Sequence, residues 1–181
     1  MSKKTRMKVR DAAFQFRMGA GFPGDVNRTH PASIEPTLID ASAPPTLFGQ
    51  PVLIDATTQG VRPFAAGDTG VTEAYGFTVR PYPFQQSSGS NYGSAAFGNS
   101  TPPANGVMDV LRWGYMMVQL PSGETAAKGG AVYVWCAAAS GVHVQGGVES
   151  AASAGNTAAL ANAFFNGAPD ANGYVEIVVK L

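Results

Sequence analysis

Imidazole and thiol chemistry in this 181-residue chain rests on three residues, His30, His143 and Cys136, set among twelve carboxylates. A hydrolytic or transfer enzyme needs a nucleophile, a base or paired acids converging on one point. His30 lies in Arg28-Thr29-His30-Pro31 and His143 in Ser140-Gly141-Val142-His143-Val144, and neither has a neighbouring carboxylate that the sequence would pair with it. Each reads as a satisfied or solvated side chain. Cys136, between Trp135 and Ala137, reads as a small core residue rather than a nucleophile. Two His and one Cys fall short of a His/Cys metal cage, and a lone Cys forms no internal disulfide. Gly19-Ala20-Gly21 is followed by no glycine that opens a helix, as a dinucleotide fingerprint requires, and Gly129-Gly130 and Gly146-Gly147 lack the Lys-Ser/Thr of a phosphate loop. Asp25, three residues before Arg28, is accounted for by an Asx-turn or a local ion pair. The sequence predicts no enzyme, no metal and no cofactor.

The elements that carry these residues are those of a turn-rich, charge-poor chain. Charged residues make up 13%, about half the usual share of a soluble domain. Gly and Pro account for 35 of 181 residues, well above their ordinary share of roughly 12%. A domain of this size buries roughly 70% of its unfolded surface, so a core forms without a disulfide framework. The net charge of zero hides an asymmetry: residues 1–28 carry +5 and the remainder −5. No apolar run of seven residues follows Met1–Arg10, and no window approaches 18 apolar residues. Neither a secretory signal nor a spanning helix is predicted, so the expected product is soluble and made in a cytoplasm.

Along the chain, residues 1–28 read as a basic N-terminal arm and turn, and residues 29–181 as the body. Lys3, Lys4, Arg6, Lys8 and Arg10 supply the arm's charge, and Phe14 and Phe16, alternating with Gln15 and Arg17, form a short strand-like anchor. Gly19–Asp25 is turn chemistry throughout. Leu47–Ile54 and Ala74–Arg80 are short apolar runs bounded by turn residues, and Pro51 marks the first as an edge strand or a bulge. Residues 85–105 are rich in Gly, Ser, Asn and Pro, too long for an idle connection, and read as disordered or as an exposed functional loop. Val107–Leu120 and Ala131–Ala138 read as a long hairpin around Pro121–Gly130. Thr157–Phe164 has helical spacing as well, but a terminal hairpin of Ala159–Phe165 with Tyr174–Lys180 is favoured. The fold class is mainly β, a single barrel or jelly-roll-like sandwich with an extended arm.

Two binding readings follow from composition. The arm could take phosphates by counterion release, but it has no interleaved aromatics or recognition motif, so no direct nucleic-acid partner is expected. Tyr92, Phe97, Trp113 and Tyr115 could instead form an aromatic platform in a carbohydrate- or host-surface-binding β module.

One succession of motifs is far more distinctive. Phe14-Gln15-Phe16-Arg17 leads into Gly21-Phe22-Pro23-Gly24-Asp25-Val26-Asn27-Arg28, then Ser33-Ile34-Glu35-Pro36, Leu38-Ile39-Asp40 and Phe48-Gly49-Gln50-Pro51-Val52. Tyr75-Gly76-Phe77-Thr78-Val79-Arg80-Pro81-Tyr82-Pro83 follows, and Asp170–Ile177 closes the series. This order resembles the structural cement, or head decoration, proteins of tailed bacteriophages. The resemblance implies a β-rich body on the outer surface of the virion, made in the bacterial host cytoplasm, that bridges neighbouring major capsid proteins and steadies the head against DNA pressure. It implies partners in the major capsid protein and in further copies of the chain, a dimer before a trimer, with no membrane partner. The residues expected at such contacts are Lys3, Lys4, Arg6, Lys8, Arg10, Phe14, Phe16, Arg17, Asp25, Arg28, Arg80 and Tyr82. Fold-specific turns are the competing account of Asp25, Arg28, Arg80 and their motif neighbours.

Overall fold

The structure, a computed structural model, describes residues 21–26, 28, 31–81 and 101–180. The arm, its Phe14–Arg17 anchor, His30, Tyr82, Tyr92, Phe97 and most of the Gly/Ser-rich segment lie outside the described residues. Among the described residues nine strands form one curled antiparallel sheet: β1 (Ser33–Leu38), β2 (Pro51–Ile54), β3 (Val61–Pro63), β4 (Gly76–Thr78), β5 (Val107–Gln119), β6 (Ala131–Trp135), β7 (Val148–Glu149), β8 (Thr157–Phe165) and β9 (Tyr174–Val179). The only helical element among the described residues is a 3-10 turn at Ala66–Asp68. Its Asp68 carboxylate accepts from the Ala65 N–H at 2.8 Å and from Arg62 at 2.7 Å.

β5 organises the fold because its two halves serve different neighbours. Its first half pairs with β1 and β4, and its second half pairs with β9. The strand order runs β3-β2-β4-β5-β9-β8-β6-β7, with β1 added on β5. Gly114 sits where the pairing changes, at φ +135, a conformation that favours glycine. The register of β1 on β5 also shifts between Ser33 and Ile34, and a bulge of this kind bends a strand sharply. The bend folds one half-sheet over the other. Phe64, Phe77, Leu111, Met116, Val132, Phe165 and Ile177 are buried in the core they share. Ile39, Val52, Val61, Met108 and Val110 form a second cluster.

Two expectations change and one holds. β5 and β6 are not a hairpin: β9 and β8 lie between them, since β5 pairs with β9 and β6 with β8. The loop of residues 120–130 therefore spans the sheet instead of turning tightly. β2 is an interior strand, flanked by β3 and β4. Pro51 is tolerated there because it is the strand's first residue, one of the positions where a missing N–H does not interrupt a ladder. The tail forms the terminal β8–β9 hairpin and no helix.

The curl is drawn together at one seam, where Ile39 meets Val61 in a parallel bridge and the Asp40 N–H donates to the Val61 carbonyl at 3.0 Å. Gly60 makes room for this approach. A Cβ there would stand 2.6 Å from the Asp40 nitrogen and 2.9 Å from the Ile39 carbonyl carbon, both backbone atoms that cannot rotate aside. Gly60→Ala is expected to cost about 1–3 kcal/mol, the range for forced overpacking. Chemical denaturation of the variant checks it, and wild-type stability would show the seam to be slack.

Candidate functional site

The motif residues of the first half converge on one corner. Asp25 closes its own turn by accepting from the Phe22 N–H at 2.7 Å. The turn is stitched into the sheet, with the Gly24 N–H donating to the Met117 carbonyl at 2.8 Å and the Met117 N–H to the Asp25 carbonyl at 3.0 Å. Arg80 locks it from the other side. Its Nε donates to the Pro23 carbonyl at 3.0 Å and lies 3.7 Å from Asp25, and its guanidinium sits over Phe22 and Phe48. Gly24 is required at φ +88, where a Cβ would come within 2.7 Å of Phe48 Cβ. Arg28 makes a fork to Glu176, Nε to Oε1 at 2.7 Å and Nη2 to Oε2 at 2.5 Å, and covers the Tyr115 ring at 4.4 Å. The hydrogen bond that Arg28 donates to Glu176 raises the Arg28 pKa above its ordinary value. Asp25, Arg28 and Arg80 thus each hold the 21–28 segment to the body. The aromatic platform fares less well, because Arg28 already occupies one face of Tyr115, while Trp113 stays 40% exposed.

A second feature is apolar and open. β1 alternates half-buried and exposed residues, which leaves Ile34 and Leu38 on its outer face. Leu38 pairs with Val107, and the two are 58% and 59% exposed. In a chain with so few charges these side chains form an exposed hydrophobic edge at the β1–β5 pair, crossed by Asp109 opposite Pro36. Sequence reading missed it, since β1 was legible only as a motif and not as a strand. Its signal was the alternation Ile34-Pro36-Leu38.

The third feature shows what satisfies His143. The tight turn of residues 140–143, closed by reciprocal backbone hydrogen bonds between Ser140 and His143, brings the imidazole back onto Glu149. His143 Nδ1 lies 3.0 Å from both carboxylate oxygens. Trp135 stacks flat on the ring at 4.2 Å and fixes its plane. Glu124, from the loop after β5, approaches the same point, its Oε2 accepting from the Ser150 N–H at 2.6 Å and Oγ at 2.7 Å. Burial first, and the hydrogen bond with Glu124 second, push the Glu149 pKa up to about 7. Glu124 is pushed upward by burial too, but its hydrogen bonds with Glu149 and Ser150 outweigh this and hold it below the usual carboxylate range. Cys136 is fully buried, and burial raises its thiol pKa, which suits a packing role.

A cleft of about 210 Å³ lies beside the Arg80 corner, lined by Phe48, Gln50, Arg80 and Gln119 among others. That is below the roughly 300–1,000 Å³ of usual small-molecule sites. A family model described as XM1 gp53 minor capsid protein matches residues 12–179. A chain in the solved structure titled "The capsid of Myoviridae Phage XM1" superposes with a TM-score of 0.59 at 16% identity. The match covers 87% of this chain and 89% of that one, which shows a shared fold. No curated protein matches the sequence.

Proposed function

The chain belongs to the XM1 gp53 minor capsid protein family, a family of virion structural proteins, and on that premise we propose that it cements the outer surface of a tailed-phage head by bridging neighbouring major capsid proteins. The observation that carries this reading is the hydrophobic edge of Ile34, Leu38 and Val107. Interface cores are depleted in charge and gain their energy from apolar burial. The +5 arm adds attraction toward an acidic neighbour, each exposed charge being worth at most about 1 kcal/mol. Homo-oligomers, a dimer first, would extend the bridging across several shell subunits. The protein is made in the host cytoplasm and joins the head after the shell expands. It performs no catalysis.

The test uses heads assembled without this protein. They are expected to form normally and to release their DNA at a lower temperature, with the deficit restored by adding back the purified chain. Leu38→Asp with Val107→Asp should reduce occupancy at least about tenfold, since each buried apolar side chain is worth roughly 1.5–3 kcal/mol. The melting temperature of the free variant should hardly move, because both positions are exposed. Deleting residues 2–11 should weaken occupancy most at low salt, where charge is least screened. Shells that fail to form without the chain would make it a shell component, and unchanged occupancy of the double variant would remove the hydrophobic edge from the interface.

A further inference from the structure

The cluster of Glu124, His143 and Glu149 stands apart from the capsid reading and does not depend on it. Three separate segments deliver its donors: the β5–β6 loop, the β6–β7 loop and the end of β7. Glu149 is 2% exposed, and among the described residues no Lys or Arg pairs with it or with Glu124. The remaining groups against the cluster are Trp135, stacked on the imidazole, and Ser150, donating to Glu124. Burying a carboxylate beside another carboxylate is expensive unless a positive charge sits between them. His143 alone cannot neutralise both.

We propose that Glu124, His143 and Glu149 bind one divalent metal ion of the zinc type, which balances the two carboxylates and clamps the β5–β6 loop to β7. The donor set supports the choice of ion. One imidazole nitrogen with carboxylate oxygens suits zinc, whereas calcium wants six to eight oxygens. All three donor atoms lie within 4.8 Å of one another. Tetrahedral zinc needs them roughly 3.4 Å apart, so the three side chains would draw in around the ion, with water in the fourth position. The surroundings are those of a built site as well. Ser150 orients Glu124 and Trp135 fixes the imidazole plane, the kind of outer-shell support that ligands rely on.

The experiment is calorimetric titration of the full chain, stripped of metal by chelator, with zinc chloride and separately with magnesium chloride, alongside melting curves. Zinc is expected to bind once per chain and to raise the melting temperature, and magnesium to do neither. Glu149→Gln, Glu124→Gln and His143→Phe, the last keeping the stack on Trp135, should each weaken zinc by more than the roughly 10–100-fold that loss of an outer-shell partner costs. Asp109→Asn, exposed on β5 and outside the cluster, should leave affinity unchanged. If Glu149→Gln does not fold, Glu124→Gln on its half-buried loop carries the test. Zinc that fails to bind, binds without a fixed stoichiometry, or binds all three variants as tightly as wild type would overturn the site. In that case the carboxylates share a proton only.

Discussion

Replacing Phe77 with alanine is expected to remove about 3–5 kcal/mol of stability, the range for truncating a fully buried aromatic ring. Phe77 has no exposed surface and sits in β4, paired with Pro51 on one side and Leu111 on the other. The loss comes from two sources: apolar surface is no longer withdrawn from water, and a void is left between half-sheets that cannot collapse onto it. Collapse is hindered because the short strand β4 is tied on both edges. Domains of this kind are stable by only about 5–15 kcal/mol, so a single truncation consumes much of the margin. In urea the midpoint should fall by on the order of 2 M while the slope stays constant, which marks a loss of stability rather than a change in the unfolded ensemble. Trp113→Ala provides the contrast, because that ring is 40% exposed and its loss should cost well under 1 kcal/mol. Equal midpoints for the two variants would mean that the core does not lie between the half-sheets.

Phe77 also shows what the sequence made legible. Its strand was readable because a short apolar run ends at Arg80-Pro81, and the closing strand was readable because Tyr174, Ile177 and Val179 are strong β-formers close together after a turn-rich stretch. Pairing was not readable, and for a physical reason. Adjacent strands pair when a tight turn joins them, yet the ten residues of Pro121–Gly130 leave either choice open, and the decision falls to which faces bury together. β9 and β8 won the place between β5 and β6 because Val175, Ile177 and Val179 fill the same core as Met116 and Val118. Long-range complementarity of that kind leaves no local trace. β3 and β7, at three and two residues, are too short to show any periodicity.

The polar clusters divide in the same way. Asp25 and Arg28 were visible as a pair, but their partners, Arg80 and Glu176, lie 55 and 148 residues away. The Pro-Gly-Asp and Val-Arg-Pro motifs meet in space: Gly24 can approach Arg80 only without a side chain. His143 has no acidic residue among its immediate neighbours in sequence, whereas the 140–143 turn and β7 return Glu149 to it six residues later. Glu124 carried no signal at all. Its role depends on a loop crossing the sheet, which in turn depends on the strand order.

Gln50 is the clearest case of a residue whose importance only the folded chain reveals, and truncating it to alanine is expected to cost about 3 kcal/mol. It is 1% exposed. Its Oε1 accepts from the Thr46 N–H at 2.9 Å and the Leu47 N–H at 3.3 Å, and its Nε2 donates to the Gln145 carbonyl at 3.0 Å. One amide thus ties the loop before β2 to the loop before β7, across the two half-sheets. Three hydrogen bonds at roughly 1 kcal/mol net each give the expected loss. Gly146 is the complement of this arrangement, since a Cβ there would fall 2.3 Å from Gln50 Nε2. Gly146→Ala should therefore be destabilising for two reasons, displacement of the amide and the strain of alanine at φ +73. Only the first depends on Gln50. In the double variant the amide is gone and the strain remains, so the combined loss should fall short of the sum of the singles by about 1 kcal/mol, a coupling typical of residues in contact. Strict additivity would show that Gly146 is kept for its backbone angle alone and that the amide has no part in holding the loops together.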